Sequence, residues 1–156
     1  MKVRLIAVGT RLPKWVVAGV AEYQPRLPRE WRFELVEIPV AERGANADVE
    51  RLKRAEGGKM LRAIPAGADV VALDERGELL ATADWARAVQ GWQREGRDVA
   101  LLVGGPDGLA AECLARAQRR WSLSKLTLPH GLARVLVLEQ LYRAWSVTAN
   151  HPYHRP

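Results

Sequence analysis

The chain of 156 residues is long enough for one domain with a buried core, since 48% of its residues are hydrophobic and 27% are charged. The only cysteine, Cys113, excludes an intrachain disulfide, and no apolar segment approaches the length of a membrane span. The net charge of +6, carried mainly by Arg, indicates either a polyanionic partner such as nucleic acid or simply solvated surface charge. We expect a cytoplasmic protein.

Five short apolar runs alternate with helical patterns along the chain. The runs cover residues 3–8, 33–38, 69–73, 99–103 and 126–128. Helices are expected from Pro13 to Pro25, from a cap at Asn46 or Asp48 to about Ile64, from a cap at Thr82 through Trp92, from about Asp107 to Arg119, and from Gly131 to Thr148. Nearly all-apolar strands separated by helices predict an α/β fold, with a mainly parallel sheet covered by helices on both faces, in a single domain spanning 1–156.

The ends of three predicted strands are the first candidates for a ligand site, because parallel sheets bind ligands beyond the carboxyl ends of their strands. These ends are Leu73, Val103 and Leu128. The loop Gly104-Gly105-Pro106-Asp107-Gly108 would let a ligand approach the backbone closely, although a tight turn into a helix explains it equally well. Its spacing matches neither a dinucleotide fingerprint nor a P-loop.

Two later segments carry further polar and aromatic groups. Residues 121–130 predict a loop, a short strand and the start of a helix, whose backbone groups are free to bind a ligand; a structural crossover is the alternative. The tail from Asn150 to Arg155 offers rings for stacking on bases and a guanidinium for phosphate, unless it is only a frayed terminus. His151 and His154 have no companion ligands in the sequence, so no metal site is expected.

Eight motifs occur in order along the whole chain: Ala7-Val8-Gly9-Thr10, Arg43-Gly44, Leu73-Asp74, Leu102 to Pro106, Leu123-Ser124 through Pro129-His130, Arg134-Val135, Gln140 to Ala144, and Asn150 to His154. With these motifs the sequence resembles the ribosomal large-subunit pseudouridine N3-methyltransferases, a branch of the SPOUT methyltransferases. The resemblance implies a C-terminal trefoil knot, a homodimer, and S-adenosyl-L-methionine as cofactor. It implies ribosomal RNA as substrate, within an assembled ribosome. From the residues themselves, neither a metal nor a membrane partner is expected.

The resemblance also implies roles for individual residues. Three loops would bind the cofactor through Leu73, Gly104, Gly105, Pro106, Leu123, Ser124, Lys125, Leu126, Thr127 and Leu128. The tail would lie beside the cofactor, contributed by the partner subunit. The last helix would bury apolar residues such as Leu138 and Trp145 in the dimer.

The implied reaction is displacement of a sulfonium methyl group by a ring nitrogen, which must lose its proton. His154 is a candidate general base, since histidine titrates near neutral pH. Alternatively, water takes the proton and Arg143 stabilises the developing anion. Tyr153 is the candidate for stacking, and Arg155, with Arg143, for phosphate or base contacts. Two other functions remain open: methylation of transfer RNA by a related knotted enzyme, and a non-catalytic RNA-binding or ribosome-assembly factor.

Overall fold

The computed structural model describes residues 1–155. Its five strands are β1 (Val3–Val8), β2 (Glu34–Ile38), β3 (Asp69–Leu79), β4 (Val99–Val103) and β5 (Arg119–Ser122). They form one sheet in the order β2-β1-β4-β3-β5, and every neighbouring pair is parallel. The predicted α/β class is therefore confirmed.

Five α-helices connect and cover the strands: α1 (Lys14–Tyr23), α2 (Val49–Ala63), α3 (Thr82–Glu95), α4 (Ala111–Arg116) and α5 (His130–Thr148), with 3₁₀ turns at Gln24–Arg26 and Arg29–Trp31. Alternate side chains of the central strands point to opposite faces of the sheet. On one face, residues such as Leu5 and Leu101 pack with α3 and α5. On the other, Ile6 and Leu102 pack with Met60 of α2 and with α4. Both faces are covered, as expected.

Local sequence explains most helix ends, with one correction. The Asp48 side chain accepts a hydrogen bond from the Arg51 N–H at 3.3 Å, so Asp48 caps α2 as one of the two predicted positions. Thr82 was expected to cap α3 but is its first helical residue; Ala81 occupies the capping position. The Asp84 carboxylate accepts a hydrogen bond from the Ala81 N–H at 2.8 Å, which is the reciprocal half of a capping box.

The fifth strand was predicted in the wrong place. Residues 126–128 form part of an irregular loop, whereas β5 occupies 119–122, where a helix and a loop were expected. Strand β5 lies at the sheet edge and pairs only with β3. An edge strand tolerates exposed charged residues such as Arg119 and Arg120, so the search for apolar runs missed it. The preceding helix is correspondingly shorter than predicted.

Strand β3 carries an irregularity that the sequence did not indicate. Both Leu73 and Glu78 pair with Trp121, so the ladder slips between them and residues 74–77 bulge out of the register. We call these four residues the β3 bulge. Bulges change the direction in which side chains point and are frequent beside ligand sites.

No helix among residues 1–155 is long and apolar enough to cross a membrane.

Candidate active site

A cleft of about 450 Å³ opens beyond the carboxyl ends of β3, β4 and β5. This volume lies within the range of small-molecule sites, about 300–1,000 Å³. All the candidate cofactor residues except Lys125 line the cleft: Leu73, Gly104, Gly105, Pro106, Leu123, Ser124, Leu126, Thr127 and Leu128. Three segments far apart in sequence therefore meet as expected. Lys125 is exposed and does not line the cleft.

The glycine loop after β4 is tightly folded on itself. A Cβ added to Gly104 would lie 2.5 Å from the Gly108 carbonyl carbon, and a Cβ on Gly105 would lie 2.9 Å from Val8 Cγ1. Gly105 and Gly108 also form an isolated bridge. The absence of side chains at 104 and 105 is thus required by loop closure and by packing on β1. This packing agrees with the tight turn that the sequence offered as one of two explanations, and close approach of a ligand to the loop stays a prediction.

The loop after β5 leaves backbone groups available to a ligand. The Ser122 hydroxyl donates to the Ser124 carbonyl at 2.9 Å, and the Ser124 hydroxyl accepts from the Leu126 N–H at 2.8 Å. Among residues 1–155, no backbone–backbone hydrogen bond involves Lys125, Thr127 or Leu128. Polar backbone groups beside a cleft need partners, and a bound ligand would supply them.

Charged residues at the mouth of the cleft were not among the predicted site residues. The β3 bulge contributes Asp74, Glu75 and Arg76, and β5 contributes Arg120. Arg120 lies 3.9 Å from the Asp74 carboxylate. Asp107 of the glycine loop pairs with Arg43. Position after a predicted strand is the signal that would have found Asp74; Arg120 required knowledge of β5.

The start of α5 is attached firmly to the end of β1. The Arg134 side chain is 2% exposed and donates to the Glu37 carboxylate at 2.6 Å and to the Gly9 carbonyl at 3.1 Å. One turn earlier, His130 lines the cleft, as does Ala133. Arg134 therefore fixes the helix that forms one wall of the cleft. Its motif was noted in the sequence, but its role was not.

The tail packs on the carboxyl-terminal half of α5. Glu139 accepts hydrogen bonds from Arg143 Nε at 2.8 Å and from the Tyr153 hydroxyl at 3.0 Å. The Arg143 guanidinium also lies over the Tyr153 ring, 4.8 Å from its centre. The hydrogen bond to Glu139 raises the pKa of Arg143, and burial, together with Tyr23 and Glu139, raises the pKa of Tyr153. Both groups stay protonated at neutral pH.

None of the tail candidates lines the cleft of its own chain. Arg143 lies 13 residues beyond His130, which is about 20 Å along the helix axis. His154 Nδ1 is buried without a hydrogen-bond partner among the described residues, and Arg155 is exposed. His151 Nδ1 accepts the Tyr153 N–H at 3.1 Å. Nowhere in 1–155 do three His, Cys, Asp or Glu side chains gather as a metal site.

Comparison with known proteins decides the family. The family described as "Predicted SPOUT methyltransferase" matches residues 1–154. The chain belongs to the SPOUT methyltransferase family. SPOUT methyltransferases use S-adenosylmethionine.

Two solved structures share the fold of this SPOUT methyltransferase. A methylase family protein from Neisseria gonorrhoeae is 16% identical, with a TM-score of 0.56 over 90% of this chain and 81% of the other. A methylase family protein from Haemophilus influenzae Rd KW20 is 15% identical, with a TM-score of 0.54 over 95% of this chain and 66% of the other. At these identities the comparison supports the architecture alone.

Proposed function

We propose that this SPOUT methyltransferase transfers a methyl group from S-adenosylmethionine to N3 of a pseudouridine in large-subunit ribosomal RNA. The observation that carries the proposal is the cleft itself, in which the three implied cofactor loops meet at the edge of the sheet of a SPOUT-family chain. A ribosomal substrate also accounts for the net charge of +6 and implies action in the cytoplasm.

The lining of the cleft fits the cofactor in two respects. Leu73, Val103, Leu123 and Leu128 offer apolar walls for an adenine ring, and the unpaired backbone groups at 127 and 128 offer hydrogen bonds to its edge. When bound, S-adenosylmethionine supplies a methyl group already activated by a sulfonium. The protein then has mainly to align the ring nitrogen with that methyl group.

A second copy of the chain is needed to bring the tail to a cleft. Within one protomer Arg143 and Tyr153 lie at the far end of α5 from His130, so we propose a homodimer in which the tail covers the partner's cleft. Leu138, which the sequence suggested for the interface, is already buried within the protomer. Trp15 and Val17 of α1 are 54% and 58% exposed, and they are the stronger candidates for a dimer contact.

In this proposal Glu139 holds the groups that act on the base. It fixes the Arg143 guanidinium, which stays cationic and stabilises negative charge as the ring loses its N3 proton. It also fixes Tyr153, whose ring stacks on the base. The proton passes to His154 or to water, and Arg155 contacts phosphate. A pH–rate profile that loses its acidic limb in His154→Gln would assign the proton to His154.

The trefoil knot is likewise proposed, from the family resemblance. Pulling both termini of one molecule apart provides a direct test. A fully extended unknotted chain of this length spans about 510–560 Å. A knotted chain should stop at a shorter length under the same force, and full extension would exclude the knot.

The function is tested by supplying labelled cofactor with ribosomes and with transfer RNA in parallel. We expect label on ribosomes, and loss of label when the ribosomes lack the pseudouridine. Label on transfer RNA alone would favour the related knotted enzymes. Calorimetry with S-adenosylmethionine separates the remaining alternative, because a non-catalytic RNA-binding factor would show no binding even at millimolar concentration.

A further inference from the structure

The mouth of the cleft carries charged side chains that the proposed roles above do not use. Asp74, Glu75 and Arg76 belong to the β3 bulge, and Arg120 comes from β5. Among residues 1–155, neither Glu75 nor Arg76 has an ion-pair partner within 4.0 Å, and both are exposed. They are therefore available to a ligand that extends out of the cleft.

The bulge has a defined position despite its exposure. Gly77 follows Arg76, and a Cβ on Gly77 would lie 2.6 Å from the Trp121 carbonyl carbon and 2.7 Å from that of Arg120. The bulge backbone thus packs directly on the β5 backbone. Glu78 then resumes pairing with Trp121. Because both ends of the bulge are held, its three charged side chains remain beside the cleft.

The balance of charge at the mouth decides between two kinds of ligand. Two carboxylates, Asp74 and Glu75, lie there with two guanidiniums, Arg76 and Arg120. The other charged lining residues already have partners: Asp107 is paired with Arg43, and Lys53 lies 3.6 Å from Glu50. An RNA phosphate is bound best by an excess of positive charge. A balanced set instead complements a zwitterion, which carries one ammonium and one carboxylate.

We propose that the β3 bulge binds the amino-acid end of the cofactor, with Arg76 contacting its carboxylate and Glu75, with Asp74, its ammonium group. This inference rests on the proposed function, since it requires the adenosine end to occupy the apolar depth of the cleft. The bulge then determines which adenosine compounds are retained. A ligand with the complete aminocarboxypropyl group gains these contacts, and one without it does not.

The test compares two ligands that differ in that group. S-adenosylhomocysteine carries the aminocarboxypropyl chain, 5′-methylthioadenosine carries a methyl group instead, and both have uncharged sulfur. Calorimetry on the wild-type protein should show tighter binding of S-adenosylhomocysteine. Arg76→Gln should weaken that binding by about fivefold to tenfold, as expected for a partly screened charge-assisted contact, and leave methylthioadenosine unchanged. Glu75→Gln should act in the same direction.

Matched controls lie on exposed surfaces away from the cleft. Arg94→Gln on α3 and Glu30→Gln each remove the same charge and should change neither affinity. The preference of the wild-type protein for S-adenosylhomocysteine should also shrink as salt is raised, because exposed charge contacts are screened. The control variants should show the same salt response as the wild type.

The outcomes separate this inference from the proposed function. If the wild-type protein binds neither ligand, the methyltransferase proposal fails. If it binds both equally, or if Arg76→Gln weakens both equally, the bulge does not bind the amino-acid end. If Arg76→Gln leaves both affinities unchanged but weakens ribosome binding, Arg76 contacts RNA phosphate and the inference is overturned.

Discussion

Replacing Gly105 by Ala should destabilise the protein by packing rather than by blocking the cofactor. The new Cβ would lie 2.9 Å from Val8 Cγ1 and 3.4 Å from Val8 Cβ, and Val8 is 1% exposed. Overpacking a well-filled core costs about 1–3 kcal/mol. Gly105 does not have a positive φ, so the lower entropy of the unfolded alanine chain returns about 0.4–1 kcal/mol. The net loss should therefore be about 0.5–2 kcal/mol.

A double-mutant cycle with Val8→Ala tests this explanation. Val8→Ala removes the methyl group that the new Cβ would touch, so the two changes together should cost about 1 kcal/mol less than their sum. Gly91→Ala on α3 is the matched control, since nothing lies within 4 Å of its Cβ, and it should raise stability by about 0.5–1 kcal/mol. The measurement is denaturant unfolding, with cofactor affinity determined on each folded variant. Additive costs, or a loss of affinity without a loss of stability in Gly105→Ala, would refute the reasoning.

Three further results are expected. Deleting residues 153–156 should leave cofactor binding nearly intact but reduce the rate of single-turnover methyl transfer by at least about a hundredfold, on the order of 3 kcal/mol of transition-state stabilisation. A near-wild-type rate would show that the tail has no role in the reaction. Arg134→Met should lower the free energy of unfolding, measured in urea, by about 2–4 kcal/mol, because the buried Gly9 carbonyl loses its donor and Glu37 loses its partner. A loss no larger than that of the exposed control Arg94→Gln would contradict this. Burial raises the pKa of the Cys113 thiol from 9.0 to about 11, so the thiol should resist alkylation at pH 8, and the free energy of unfolding should fall as pH rises from about 9 to about 11. Rapid labelling of the folded protein would show that Cys113 is accessible.

The central strands and the position of the cleft were predictable because burial on both faces leaves an unmistakable apolar run. Residues 99–103 are all buried, and the strand was predicted with its observed bounds. Since parallel strands end at one edge of the sheet, the segments at Leu73 and Val103 could be placed together without knowing any contact between them. The third strand end was expected at Leu128, whereas β5 ends at Ser122.

The remaining features depend on contacts that leave no periodic signal. Strand β5 has two exposed arginines followed by a buried tryptophan and a buried serine, so only its pairing with β3 identifies it. At the β3 bulge two residues of β3, Leu73 and Glu78, pair with the same residue, Trp121, and no local sequence pattern indicates such a shift of register. No motif in the sequence singled out Glu139, which accepts hydrogen bonds from both Arg143 and Tyr153.

The pairing order of the sheet has a consequence for synthesis of the chain. Strand β1 lies between β2 and β4, so its second neighbour is made more than 90 residues after it. At a synthesis rate of about 5–20 residues per second, the edge of Val3–Val8 that later pairs with β4 stays unpaired for roughly 5–20 s. The cleft is completed later still, because His130 and Ala133 of α5 form part of its wall. A nascent chain therefore has no complete cleft, and a ligand that needs this wall can bind only after α5 has left the ribosome that made it.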